Sequence, residues 1–190
     1  SQGFTRLKTM LYADPAAAHA LFEKLTRAAA VQLQAQVGAG AQAVQIFESW
    51  LGELGREDLA EFSFPYLARL AEAVRPLGVP AILFSTGTST HLESLAGLGY
   101  DVLSVDWRIP IGEARSRAGG LAVQGNLDST LLLGPRELLR SRVEAMLRAA
   151  GPAPGYIFNL GHGIQPQTPP ENVKAVVEAV HAFRRAGAVP

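Results

Sequence analysis

Five short apolar runs recur along the chain, and stretches of helix-forming residues lie between them. Each run has the length of a buried strand and ends at polar or glycine residues; the runs cover 43–47, 80–84, 101–105, 121–124 and 156–160. Apolar runs that alternate with helices are typical of a parallel sheet. Right-handed crossovers between such strands place all their carboxyl ends at one edge. The pattern therefore predicts an α/β fold whose functional groups lie along that edge.

The helix signals fall between these runs. Asp14 followed by Pro15 predicts the start of a long helix that continues to about Val37, because aspartate is a good N-cap and proline suits the first helical position. Pro65 predicts an interruption of the helical stretch 57–75, because proline removes a donor from the hydrogen-bond ladder. The start of the long helix and the interruption of the later one can thus be placed from local chemistry alone.

Two later helices carry apolar stripes. One is predicted to begin at Pro135, and the other at a capping box formed by Thr168 and Glu171, with Pro169 at the first helical position. The residues expected to face the core are Leu138, Leu139, Val143, Met146 and Leu147 in the first, and Val173, Val176, Val177, Val180 and Phe183 in the second. Arg184 and Arg185 follow at the negative end of the second helix dipole.

Two closures of the sheet fit this pattern. A flavodoxin-like or Rossmann-like open sheet suits five strands in 190 residues. A (β/α)₈ barrel typically needs about 250 residues. From the pattern alone the open sheet is favoured. No Gly-x-Gly-x-x-Gly motif follows a strand with an acidic residue further on, so a dinucleotide cofactor is not indicated.

Composition narrows the class of protein further. Hydrophobic residues make up 48% of the chain, which is enough for a sizeable core in one domain. The formal charge is zero, so nucleic-acid binding is not expected. Residues 1–6 lack a signal-peptide core and no run of about 18 apolar residues occurs, so we expect a cytoplasmic protein without a membrane span. The absence of cysteine excludes disulfides, thiolate nucleophiles and cysteine-ligated zinc within these residues.

His162 is the strongest candidate for chemistry. It lies between Gly161 and Gly163, directly after the run 156–160, which is read as a fully buried strand. The glycines would let a ligand approach the backbone closely. In parallel α/β folds the carboxyl ends of the strands carry the site, so His162 is predicted to face a ligand.

Ser49 and Tyr12 are weaker candidates by sequence alone. Ser49 follows the first strand, but it has no Gly-x-Ser-x-Gly elbow, so binding is a better role for it than nucleophilic attack. Tyr12 precedes the N-cap Asp14, where a tyrosine usually packs at a surface. Four other polar residues, Asp106, Arg108, Asn126 and Asp128, also fall at strand ends and stay unassigned, while His19, His91 and His181 lie in helical contexts and are interpreted as structural or solvated.

Four ordered segments resemble the uroporphyrinogen decarboxylase family. They are Leu11-Tyr12, the run 38–50 that ends in Phe47-Glu48-Ser49-Trp50, the run 123–128 with Gly125-Asn126-Leu127-Asp128, and the stretch from Gly161-His162-Gly163-Ile164 through 168–173 to Val180-His181. Together they span nearly the whole chain, which is far more specific than one motif. Ser129 stands where the family usually has proline, a difference that affects only a turn.

The resemblance implies a (β/α)₈ TIM-type barrel, of which residues 1–190 would be a partial single domain: the five C-terminal βα units without the N-terminal strands. It implies cofactor-independent removal of CO₂ from the four acetate side chains of uroporphyrinogen III, giving coproporphyrinogen III, by an enzyme that is a homodimer and uses no metal. Tyr12, Ser49 and His162 match substrate-binding positions. The proton donor and the aspartate that binds the pyrrole N–H groups are expected in the N-terminal part, so these 190 residues alone should be inactive.

Two other readings remain. Cobalamin-linked methyltransferases share the barrel, but they hold zinc through histidine and cysteines, and this chain has no cysteine. A small open-sheet ligand-binding domain would account for the length of 190 residues. It leaves the four ordered segments unexplained.

Overall fold

The computed structural model describes residues 4–183, which form one five-stranded sheet and the helices that connect its strands. The strands are β1 Val44–Phe47, β2 Ala81–Phe84, β3 Val102–Ser104, β4 Ala122–Leu127 and β5 Tyr156–Leu160. The helices are α1 Thr5–Ala13, α2 Pro15–Gly38, α3 Arg56–Phe62, α4 Phe64–Val74, α5 Leu92–Ala96, α6 Ile111–Arg117, α7 Arg136–Ala150 and α8 Pro170–Ala182. Short 3₁₀ turns cover Leu51–Glu53, Arg75–Leu77 and Ser129–Leu133.

The strand order decides between the two closures. All four pairings are parallel, and the order across the sheet is β1-β2-β3-β4-β5. A flavodoxin-like sheet would have the order 2-1-3-4-5. Sequential neighbours are what an arc of a (β/α)₈ barrel has, so the barrel prediction is confirmed and the open-sheet reading is wrong.

The two faces of the sheet also differ as those of a barrel do. On one face, strand residues pack with helix residues in the main apolar cluster; these strand residues include Val44, Leu83, Leu103 and Val123. The alternate positions carry polar groups such as Gln45, Ser104 and Gln124. Helices therefore cover one face, as on the outside of a barrel, and the other face is the concave interior.

Local chemistry sets the helix boundaries in the first half of the chain. The Asp14 carboxylate accepts a hydrogen bond from the backbone N–H of Ala17 at 3.0 Å, and Pro15 is the first residue of α2. The predicted interruption near Pro65 is also confirmed, because α3 ends at Phe62 and α4 begins at Phe64.

The capping box predicted for the last helix is wrong. Helix α8 begins at Pro170, with Pro169 as its N-cap, so Thr168 lies one residue too early to cap it. The backbone N–H of Thr168 instead donates to the carbonyl of Gln165 in a turn. The Thr168 hydroxyl is buried and bonds no other residue in the range 4–183. Helix α8 is anchored instead by Asn172, whose amide donates to the carbonyls of Leu132 and Gly134.

Two predictions of burial and one strand boundary also need correction. Strand β5 is not fully buried: Ile157 is 42% exposed because it lies on the face that no helix covers. Leu138 and Val177 are exposed because they lie off the faces through which α7 and α8 meet the sheet. Strand β4 continues past Gln124 to Leu127, since it keeps pairing with β5 to its end. Arg184 and Arg185 lie outside the described residues.

Within residues 4–183, no helix combines the length and the hydropathy needed to cross a membrane.

Candidate functional site

A cleft of about 490 Å³ opens at the carboxyl ends of the strands, on the face without helices. It is lined by Gln45, Phe47, Ser49, Phe84, Ser104, Asn159, Leu160, His162, Gly163 and Ile164. The structure thus brings Ser49 and His162 together, although 113 positions of sequence separate them. Parallel pairing does this, because it places the end of every strand at the same edge.

Ser49 is positioned by the loop that follows β2. The ladder between the two strands continues past β1, where the N–H of Glu48 donates to the carbonyl of Phe84 at 3.0 Å. The carbonyl of Ser49 then accepts a hydrogen bond from the Thr86 hydroxyl at 2.6 Å. With its backbone held in this way, the Ser49 hydroxyl makes no hydrogen bond to another residue between 4 and 183 and can donate to a ligand.

His162 lies in a row of three aromatic rings that lines the cleft. Its ring lies edge-on to Phe84 at a centroid distance of 6.2 Å, and Phe84 lies edge-on to Phe47 at 5.7 Å. Phe84 is buried, whereas Phe47 is 68% exposed. The imidazole of His162 is itself exposed and bonds no other described residue. Both of its nitrogens are therefore available to a ligand beside an apolar surface.

The floor of the cleft is polar. The Gln124 amide on β4 donates to the side-chain oxygen of Gln45 on β1 at 3.2 Å and to the Ser104 hydroxyl on β3 at 3.0 Å. Asn159 is exposed at the rim, and its side-chain oxygen accepts from the N–H of Leu160 at 2.8 Å. No carboxylate, lysine or arginine is among the lining residues in the described part of the chain. The lining therefore offers neutral donors and does not repel an anion.

The structure does not bring Tyr12 to this cleft. Tyr12 is 64% exposed on α1, and its hydroxyl donates to the Asp58 carboxylate of α3 at 2.8 Å. That hydrogen bond raises the pKa of the Tyr12 phenol. A second, more apolar cavity of about 340 Å³ lies among α1, α2 and α4, and it contains none of Tyr12, Ser49 and His162.

The other three histidines lie away from the cleft, as the sequence predicts. His19 is 2.7 Å from the Tyr66 hydroxyl and stacks on Phe62. His181 is exposed on α8. His91 precedes α5, where burial, with a smaller contribution from Arg56, lowers the pKa of its imidazole. Among residues 4–183, no three histidine, aspartate or glutamate side chains come close enough together to form a metal site.

Gly161 is needed for a reason other than the predicted approach of a ligand. A Cβ atom on Gly161 would lie 2.8 Å from the backbone nitrogen of Trp107 and 3.1 Å from the Cα of Asp106. Only glycine allows these two loops to pack so closely. No heavy atom lies within 4 Å of the corresponding position on Gly163, so that side of His162 is open.

Sequence reasoning missed Gln45, Ser104 and Asn159 as cleft residues. A signal for them exists: each is a polar residue within or at the end of a buried strand, at the alternate position that faces away from the helices. Period-two alternation identifies such residues once the barrel is assumed. In an open sheet the same alternation would point them at a helix layer.

The fold and this cleft define a parallel α/β protein of the barrel type with its site at the carboxyl edge. Residues 1–183 match the family described as uroporphyrinogen decarboxylase (URO-D), and the chain belongs to that family. It is 78% identical over 183 residues to a uroporphyrinogen decarboxylase of Anaeromyxobacter dehalogenans, covering 96% of this chain and 53% of that protein. It is 47% identical to that of Myxococcus xanthus and 45% identical to that of Thermus thermophilus, with 95% of this chain covered in both.

The chain spans about half the length of the curated relatives it matches. Among solved structures it is similar to a methyltransferase from Methanosarcina mazei, with a TM-score of 0.71 and 27% identity, over 82% of this chain and 46% of that one. That similarity agrees with the barrel-type arrangement of the five strands.

Proposed function

We propose that these residues form the substrate-binding C-terminal part of a uroporphyrinogen decarboxylase, a carboxy-lyase that converts uroporphyrinogen III to coproporphyrinogen III. The observation that carries the proposal is the meeting of Ser49 and His162 in one cleft at the carboxyl edge of a chain of this family. Both residues match substrate-binding positions of the family. Tyr12 is included as a substrate-binding residue on the resemblance alone, since its hydroxyl donates to Asp58 outside this cleft.

The chemistry of the cleft suits this substrate class. Uroporphyrinogen combines an apolar macrocycle with a rim of carboxylates. Phe47 and Phe84 offer an aromatic surface to the ring system, while His162 and Ser49 offer donors to a carboxylate. The described lining carries no acidic residue that would oppose the negative charge of the substrate.

Decarboxylation requires a group that accepts the electrons released when the carbon–carbon bond breaks. In this reaction the substrate supplies it: protonation of a pyrrole carbon gives a cationic ring, and that ring accepts the electron pair as CO₂ leaves. A second proton, delivered to the exocyclic methylene carbon, completes the methyl group, and the pyrrole carbon then loses the first proton, which restores the neutral aromatic ring. The protein then needs to provide oriented binding, proton delivery and exclusion of water, without a cofactor.

The residues that line the described cleft include no carboxylic acid. We therefore propose that the proton donor and the pyrrole-binding aspartate come from the N-terminal part of the complete protein. Residues 1–190 alone should be inactive.

We further propose that these residues are one partial barrel domain, since β1 and β5 each pair with a single strand within the described residues. We also propose that the complete enzyme is a cytoplasmic homodimer.

A methyltransferase function has one point of support, the similarity to the Methanosarcina mazei protein. The zinc site expected of the cobalamin-linked enzymes cannot be built here, because the chain has no cysteine. The family match and the named relatives favour the decarboxylase.

The test is to incubate the native gene product, at the length its own gene encodes, with uroporphyrinogen III under anaerobic conditions and to analyse the oxidised products by chromatography. We expect loss of four carboxyl groups and accumulation of coproporphyrin III, unchanged after treatment with a chelator. Absence of any decarboxylated product from a folded protein would refute the proposal.

A further inference from the structure

Asp106 is a buried carboxylate at the carboxyl edge that the proposed function does not use. It follows β3 and is only 2% exposed. One carboxylate oxygen accepts from the backbone N–H of Gly87 at 2.7 Å and from the guanidinium of Arg108, and the other accepts from the N–H of Arg108 at 3.1 Å. Asp106 does not line the cleft, so it does not contact a ligand there.

On one side, these bonds connect Asp106 to the loop that carries Ser49. The bond to Gly87 fixes the loop after β2, and Gly87 lies against Gly52 so closely that a Cβ on Gly52 would be 2.7 Å from the Cα of Gly87. The N–H of Gly52 donates to the carbonyl of Thr86 at 3.1 Å. The Thr86 hydroxyl, in turn, donates to the carbonyl of Ser49.

On the other side, the backbone of Asp106 supports the loop that carries His162. Gly161 packs directly on Asp106 and Trp107, with no room for a Cβ. The Asn126 amide holds this backbone from β4, because it donates to the carbonyls of Asp106 at 2.8 Å and of Ile109 at 2.6 Å. Asp106 therefore lies between the two loops that supply the ligand-binding side chains.

We infer that Asp106 is a positioning residue that fixes the loops of Ser49 and His162 relative to each other. The inference rests on the proposed function, because it assigns Asp106 to the same site. A carboxylate suits the position because both of its oxygens accept, so it can hold Gly87 and both donors of Arg108 at once. An asparagine of the same shape has one oxygen and must place its NH₂ group against a donor.

The first test is a double-mutant cycle in the native gene product. Asp106→Asn should lower kcat/KM for uroporphyrinogen by about tenfold or more. In a background of Ser49→Ala and His162→Asn, the same substitution should cost less than about threefold, because the groups that Asp106 positions are gone. An effect of equal size in both backgrounds would overturn the inference, since a general loss of structure acts independently of those side chains.

Asp101 offers a matched control at the opposite edge of the sheet. Its carboxylate also accepts from a backbone N–H, that of Ala81 at 2.8 Å. Asp101→Asn should lower the melting temperature and leave kcat/KM within about twofold. If Asp101→Asn and Asp106→Asn reduce kcat/KM equally, the position of Asp106 has no special effect and the inference is wrong.

The second test needs no activity and separates this inference from the proposed function. Amide hydrogen exchange of the Asp106→Asn protein should show reduced protection at Gly52 and Gly161 as well as at Gly87, with Asp101→Asn changing exchange near Ala81 instead. A change confined to Gly87 would overturn the inference even in an active enzyme. If the unmodified protein is inactive while Gly52 and Gly161 respond together, the positioning role stands and the proposed function fails.

Discussion

The imidazole of His162 lies edge-on to the ring of Phe84, with the centroids 6.2 Å apart and the ring planes at 62°. Phe84 ends β2 and His162 follows β5, so the contact spans the concave face of the sheet. Phe84 is buried and can hold the imidazole in place, while both ring nitrogens stay free for a ligand. The pair therefore presents an oriented imidazole to the cleft.

His162→Asn should weaken substrate binding in the native gene product. A charge-assisted hydrogen bond to a carboxylate is worth roughly 1.5 to 3 kcal/mol, so kcat/KM should fall by about one to two orders of magnitude. The melting temperature should change little, because the His162 side chain is exposed. Steady-state kinetics and thermal melts measure the two effects.

The same substitution at His19 is the control. His19 bonds Tyr66 and stacks on Phe62, far from the cleft lining. His19→Asn should lower the melting temperature and leave the kinetics intact. If His162→Asn instead behaves like His19→Asn, His162 is a structural residue.

Ser49→Ala should also weaken substrate binding. A hydrogen bond to a charged group is worth about 1.5 to 3 kcal/mol, so kcat/KM should fall by about one to two orders of magnitude. Thr86→Val, which removes the hydroxyl that holds the Ser49 carbonyl, should lower kcat/KM in the wild type but add little to Ser49→Ala. Full additivity of the two substitutions would show that Thr86 does not act through Ser49.

Glu48 should make stability depend on pH. Burial raises the pKa of the Glu48 carboxyl above its ordinary value of 4.5, partly offset by a hydrogen bond from the backbone of Trp50. The folded protein therefore binds this proton more tightly than the unfolded chain, and this contribution to stability is lost as the pH rises through the folded pKa. Glu48→Gln stays neutral. It should raise the melting temperature at neutral pH, and the gain should vanish at about pH 4.

Melting curves of both proteins across that range measure the difference. A Glu48→Gln protein that melts below the wild type at neutral pH would show that the ionised carboxylate stabilises the fold.

Arg115 should stabilise the fold without affecting the site. Its guanidinium donates to the carbonyls of Ala150, Ala153 and Pro154, and so joins the end of α7 to the segment before β5. Arg115→Ala should lower the free energy of unfolding by about 1.5 to 3 kcal/mol, since hydrogen bonds to charged groups are strong. Arg140→Ala, which removes an exposed i,i+4 ion pair, should change it by less than about 0.5 kcal/mol. Equal losses would contradict this role.

The sequence is sufficient to predict the strands and the meeting of Ser49 with His162. Apolar runs mark the strands, and parallel connections place their ends together, so two residues can be paired without knowledge of any contact. The strand order could not be obtained from periodicity alone, because both closures use the same buried strands. The family resemblance made that choice, and the sequential order confirms it.

Tertiary partners outweighed a local signal at the last helix. Thr168 has the spacing of a capping box, but the helix starts one residue later and Asn172 makes the anchoring bonds. The role of Tyr12 in substrate binding stays a prediction from the resemblance, and in this structure its hydroxyl donates to Asp58. Asp106 was visible at a strand end, but its partner Gly87 is 19 positions away and no local pattern indicates it.

The central claim is that these residues supply the substrate-binding part of a decarboxylase whose proton donor lies elsewhere. The most direct measurement joins this chain to the N-terminal portion of its relative from Anaeromyxobacter dehalogenans, which is 78% identical over the shared part. The fusion should convert uroporphyrinogen III to coproporphyrinogen III, and the 190 residues alone should not. His162→Asn in the fusion should lower kcat/KM by about one to two orders of magnitude. Product from the 190 residues alone, or a folded fusion that forms none, would contradict the account.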